Sequence, residues 1–201
     1  MPAVTHPGQM KYPDQTSFAF RSGVTCLTTP AGAVLLNPPH SEKLTRLTAG
    51  QLRALKALNL GPATLTEISK NSPESEIGPL INQLAAGGWL SVTVRDGGKD
   101  LYSILPWGQP PSRPAPLSPR STVLSRFALL HRDAESFVIE HPLSWCDVRI
   151  HDSRLLVLLD GLAAGGSDLP TAVASQFIED LQWCGVLVAV GDEDTRFEML
   201  S

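Results

Sequence analysis

Apolar and polar residues alternate strictly along Cys146-Asp147-Val148-Arg149-Ile150, the period of two that a strand with one buried face needs. Less regular apolar runs at Leu124–His131 and Glu135–His141 precede it, and Asp133-Ala134 and Pro142 punctuate them. The first half opens in the same way. Short β-type runs at Ser17–Ser22, Val24–Thr29 and Ala33–Asn37 are separated by Gly23 and the turn Thr29–Gly32. In both halves the period then changes to that of a helix. Leu52, Leu55 and Leu58 share one stripe of a helix over 47–60, with Thr48 as N-cap. A short helix from Pro62, capped by Thr64 or Thr66, comes next. A third, from Ser75, has the stripe Ile77, Leu80, Ile81 and Leu84 and ends at Gly87-Gly88. In the second half, Ser153–Gly166 is the counterpart of the first helix and Pro170–Trp183 that of the third. The middle helix is reduced to a turn at Ser167–Leu169.

The two halves repeat most closely where the third helix ends. Ile81, Leu84, Gly88 and Leu90 recur as Ile178, Leu181, Gly185 and Leu187, each displaced by 97 residues. In the first half a hairpin of Leu90–Arg95 against Lys99–Leu105 follows, around Asp96-Gly97-Gly98. This order predicts an α+β chain of two tandem winged-helix-like units, each a small antiparallel sheet followed by two or three helices. Between them, six prolines from Pro106 to Pro119 fix φ and remove donors, which predicts an extended spacer. The expected organisation is a first unit over 1–105 with a disordered start to about residue 15, a linker over 106–122, and a second unit over 123–201.

Composition narrows the function classes. A net charge of −4 provides no global attraction to phosphate or anionic lipid. No apolar run approaches the roughly 20 residues that span a bilayer, and the N-terminus has no signal-peptide pattern. Cys26, Cys146 and Cys184 are widely spaced, as expected of free thiols in a reducing cytoplasm. His131, His141 and His151 are evenly spaced but fall at strand ends, with no Glu-x-x-His or paired cysteine to complete a metal site. Neither a nucleophile elbow nor a phosphate-binding glycine loop is present, so no catalytic residue and no cofactor site is expected in this chain.

A winged-helix topology raises DNA binding as the alternative function, that of a transcriptional regulator. The third helix opens with Glu74 and Glu76, however, and its counterpart carries Gln176, Glu179 and Asp180, so phosphate would meet carboxylates. An extended peptide fits better. It would add to the free side of the third strand in each half and send side chains towards the third helix. The expected lining is Val34, Leu36, Ile77 and Ile81 in the first half and Val148, Ile150, Phe177 and Ile178 in the second.

The stretch from Ser125 to Ser144, with Val148–Arg154, resembles the region ahead of the catalytic domain in SagB/ThcOx-type dehydrogenases. The Phe18-Ala19-Phe20 start, the Pro-rich segment and the Gly185-Val186-Leu187 ending extend the likeness. The resemblance implies nitroreductase-fold, FMN-dependent enzymes that oxidise azolines to azoles in ribosomally made peptides. It further implies an N-terminal region similar to PqqD-like precursor-recognition elements, often doubled. The expected partners are therefore a precursor leader peptide and an FMN-dependent catalytic domain or subunit, with homodimerisation a further role such regions can serve. FMN is expected only in that associated domain. The chain stops about where such a domain would begin, which leaves it either the first portion of a longer enzyme or a separately encoded partner.

Overall fold

The computed structural model describes residues 15–117, 122–160 and 169–191. Their fold is mixed α+β, built from antiparallel strands and, among the described residues, five helices. The chain divides into two compact units, residues 1–99 and 100–201.

The first unit contains β1 (Ser17–Phe20), β2 (Thr25–Thr29), β3 (Gly32–Asn37), β4 (His40–Thr45), α1 (Ala49–Leu60), β5 (Ala63–Thr64), α2 (Leu65–Ile68), α3 (Glu74–Ala86) and β6 (Leu90–Asp96). The three strands expected to form one sheet are divided between two. β2, β3 and β4 form a meander with β3 in the centre, whereas β1 pairs with β5 and β6. The added strand, β4, has Leu44 as its single buried residue and follows Pro38-Pro39, so alternation gives no sign of it. Thr48 caps α1 through a box with Gln51, and Thr64 caps α2 through one with Glu67. The apolar stripe of α3 is buried as its spacing requires. Ile77, Leu80, Ile81 and Leu84 join Leu35, Leu55 and Trp89 in the core, each contributing about 1.5–3 kcal/mol.

The second unit contains β7 (Lys99–Pro106), β8 (Thr122–Leu124), β9 (Leu129–Arg132), β10 (Phe137–Glu140), β11 (Cys146–Ile150), α4 (Arg154–Asp160), α5 (Thr171–Trp183) and β12 (Leu187–Ala189). The run expected as a single strand over 124–131 is broken at Ser125-Arg126-Phe127. β8 before the break pairs with β12, and β9 after it pairs with β10. β9, β10 and β11 form a second meander, and β7 pairs along the other side of β11 from Ile150↔Tyr102 to Cys146↔Pro106. The turn expected at Ser167–Leu169 falls largely on residues 161–168, outside the described residues, as does the N-terminal stretch before residue 15.

The division between Lys99 and Asp100 falls after the first residue of β7, and the Pro-rich segment belongs to the second unit. Its residues lie along α5 rather than acting as a free spacer. Pro111 accepts a hydrogen bond from the Trp183 indole at 2.9 Å, and the Leu117 amide donates to Gln182 Oε1 at 3.1 Å. Extended proline-rich backbone keeps its carbonyl acceptors free, and here α5 uses them.

One construction occurs in both units. An initial strand (β1 or β8) leads into a three-stranded meander, helices follow, and the strand after the last helix (β6 or β12) pairs back onto the initial one. The helix endings coincide bond for bond. Trp89 N–H donates to Leu84 and Gly88 N–H to Ala85, while Val186 N–H donates to Leu181 and Gly185 N–H to Gln182. Gly88 and Gly185 take φ of 70° and 75°. This is the Schellman closure, which needs a left-handed residue after the helix.

Replacing either glycine with alanine, G88A or G185A, places a Cβ in the left-handed region and should cost about 1–2 kcal/mol in urea denaturation. Stability unchanged in both variants would contradict this account of the repeat.

Candidate functional site

Two polar clusters in the second unit invite a catalytic reading, and the geometry of each is structural. In the first, the Asp180 carboxylate on α5 is fully buried and receives hydrogen bonds from Tyr102 at 2.6 Å, from Gln176 at 2.9 Å and from Arg113 of the Pro-rich segment. Burial raises the Asp180 carboxyl above the usual aspartate range, against the opposing pull of Arg113 and Tyr102. Burial, with the neighbouring Asp180, also pushes the Tyr102 phenol well up. The guanidinium of Arg113 stacks over Trp183 with 5.1 Å to the ring centroid. Every ligand of this carboxylate is a protein side chain, so the cluster anchors the Pro-rich segment on α5.

The second cluster pairs Ser125 with His141 at 3.0 Å, both buried. His141 Nδ1 accepts the Leu143 amide at 3.1 Å, which places the ring proton on Nε2, donating to the Ser125 oxygen. The imidazole therefore has no free lone pair with which to take a proton from Ser125, as a nucleophile would require. Among the described residues no three His, Cys, Asp or Glu side chains gather into a metal-binding group.

The residues expected to line a peptide groove lie elsewhere. Val34 and Leu36 are half-buried on β3, on the opposite face from core residue Leu35, whereas Ile77 and Ile81 are inside the core with Leu35. The structure does not bring these four into one groove. Val148 and Ile150 are enclosed on β11, and Phe177 and Ile178 are buried on α5, with Phe177 packed edge-on against Tyr102 at 4.8 Å. The expected strand margins are also occupied. β3 is hydrogen-bonded by β2 and β4, and β11 by β7 and β10. Neither can accept an added strand.

Three meander strands have a side without a strand partner among the described residues, β2, β4 and β9, and β4 and β9 differ most in chemistry, while β2 exposes the single apolar Leu27. β4 in the first unit is polar, and its Glu42 is tied back to Gln83 and to the Trp89 indole. Charged side chains of this kind guard an edge against pairing. β9 in the second unit is apolar, with Leu129 57% and Leu130 45% exposed. Beside it opens a cavity of about 280 Å³ lined by Leu124, Ala128, Leu130, Ile139, Leu156 and Leu159. Sequence reading missed this site because it took 124–131 as one continuous strand. The signal lay in the adjacent Leu129-Leu130, which put apolar side chains on both faces of a short strand.

The cavity can hold hydrocarbon. All six lining side chains are apolar, so none of them would serve the phosphate of flavin mononucleotide. An unpaired strand next to an apolar cavity has the free backbone groups and the side-chain room that strand addition by an extended polypeptide would need. Residues 122–189, about a third of the chain, match the family model described as cyanobactin oxidase ThcOx. The match runs from β8 to the end of β12 and contains both the β9 margin and the cavity, so it is this region that is similar to the ThcOx family. No curated protein matches the chain.

The Arg113–Asp180 pair gives a direct test. R113A should cost about 3 kcal/mol in urea denaturation, at the low end for a buried pair because Arg113 keeps some exposure. Adding D180N should restore part of that loss. A fully additive double variant would show that the two side chains are not coupled.

Proposed function

We propose that this chain supplies the substrate-docking part of a ThcOx-type oxidation system acting on ribosomally made precursor peptides. The carrying observation is the apolar β9 margin beside its cavity, inside the segment that is similar to the ThcOx family. An extended stretch of precursor leader would add antiparallel or parallel to β9 through main-chain hydrogen bonds. One of its apolar side chains would enter the cavity beside Leu130 and Leu156. The FMN-dependent oxidation belongs to an associated catalytic domain or subunit, and this chain holds the peptide for it.

The doubled strand–meander–helices–strand order supports reading each unit as a winged-helix-like, PqqD-like recognition element. In this reading the first unit, with its guarded β4, serves assembly with the catalytic partner or with a second copy of the chain. No helix among the described residues is long and apolar enough to cross a membrane, and the place of action is taken to be the cytoplasm, where precursors are made. The alternative of a DNA-binding regulator gains nothing from the helices. α3 begins with Glu74 and Glu76, and α5 carries no Lys or Arg.

Titrating the full chain with precursor leader peptides, followed by calorimetry or fluorescence anisotropy, tests the proposal. Binding tighter than about 100 µM is expected. L130D should weaken it at least about tenfold, the equivalent of 1.4 kcal/mol. L27D, on the exposed face of β2 in the first unit, should leave it unchanged. Equal binding by L130D and the unaltered chain would remove β9 from the site.

A further inference from the structure

We propose that Cys146 and Cys184 form a redox couple that closes to a disulfide, tying the start of β11 to the end of α5. Their Sγ atoms lie 3.1 Å apart, roughly 1 Å beyond the S–S bond length of about 2.05 Å, so a small side-chain rotation closes the gap. The neighbouring residues hold the two segments together independently of the sulfurs. The Trp145 indole donates to the Trp183 carbonyl at 3.1 Å, and the two rings lie 4.6 Å apart. Residues 145–146 thus face 183–184 through two successive side-chain contacts. On β11 the Cys146 amide is held by the Ser144 hydroxyl at 3.1 Å, and on α5 the Cys184 amide closes the helix onto Asp180 at 2.8 Å. Both backbones are thus hydrogen-bonded in place beside the sulfurs.

The oxidant is a hydroperoxide. Two S–H bonds and the O–O bond break, and one S–S bond forms. The two electrons and two protons released reduce the hydroperoxide to an alcohol, or to water from hydrogen peroxide, together with one molecule of water. Both thiols are about 1% exposed, and burial holds the Cys184 thiol in its protonated form. Oxidation is therefore slow and depends on brief opening at the end of α5. The bond, once made, is shielded from thiol reductants by the same burial. Cys26 is in the first unit and takes no part.

The test exposes the native full chain to hydrogen peroxide, unfolds it in an alkylating agent and maps its tryptic peptides. The expected product is peptide 133–149 joined to peptide 155–196, two hydrogens lighter than their sum, with peptide 22–43 still alkylated at Cys26. Thiol reductant should reverse the link, and the oxidised chain should show a higher urea midpoint than the reduced one. C26A should form the same cross-link and C146A should not. Because C146A removes a core side chain, the unaltered chain and C26A decide the matter if it fails to fold. Alkylation of both Cys146 and Cys184 after peroxide treatment, or a cross-link that includes Cys26, would overturn the proposal.

Discussion

β7 hydrogen-bonds along the whole outer side of β11, and this pairing determines which margin of the second unit's meander remains open. A meander of three strands has two margins. With β11 covered, the free margin passes to β9, at the opposite side of the same meander. The consequence is chemical as well as topological. β11 carries strictly alternating residues whose apolar face is enclosed, while β9 is four residues long and exposed at every position, with two leucines at its start. A strand with this composition at an edge is a liability unless something pairs with it. The adjoining cavity provides the side-chain room that such pairing uses.

The same closure is used twice to build the two units, and the differences between them divide the work. In each, a left-handed glycine turns the chain out of the last helix so that the next strand can return to the initial strand. The leucine just after it sits opposite the end of that initial strand, Leu90 against Phe20 and Leu187 against Leu124. The first unit leaves its β4 margin polar and tethered through Glu42. The second covers one margin with β7, stations the Pro-rich segment on α5 through Arg113 and Asp180, and leaves the other margin apolar.

Much of this was legible in the residues. Helix positions followed from the stripes of α1 and α3 and from the Thr48 and Thr64 caps, because apolar spacing and capping chemistry are local. The repeat was legible at Gly88 and Gly185 because a left-handed helix exit restricts residue type. Pairing was not legible. Nothing local tells β3 that β4 will follow it after Pro38-Pro39, or tells Cys146–Ile150 that Tyr102–Pro106 will lie alongside. A strand's neighbours are chosen by long-range closure, and alternation reports only which face is buried. Six of the eight expected groove residues, Ile77, Ile81, Val148, Ile150, Phe177 and Ile178, are consequently core residues, and which margin stays open depends on strand partners that local sequence does not state. The Pro-rich segment packs on α5 for a related reason: composition carried no sign that α5 would bind its carbonyls.

The most direct measurement is amide hydrogen exchange on the full chain with and without a precursor leader peptide. Strand addition at β9 predicts new protection at residues 129–132 and little change at residues 40–45 of β4, since a docked main chain slows only the amides it pairs with. Protection confined to 40–45, or bound peptide with exchange at 129–132 unaltered, would contradict the account.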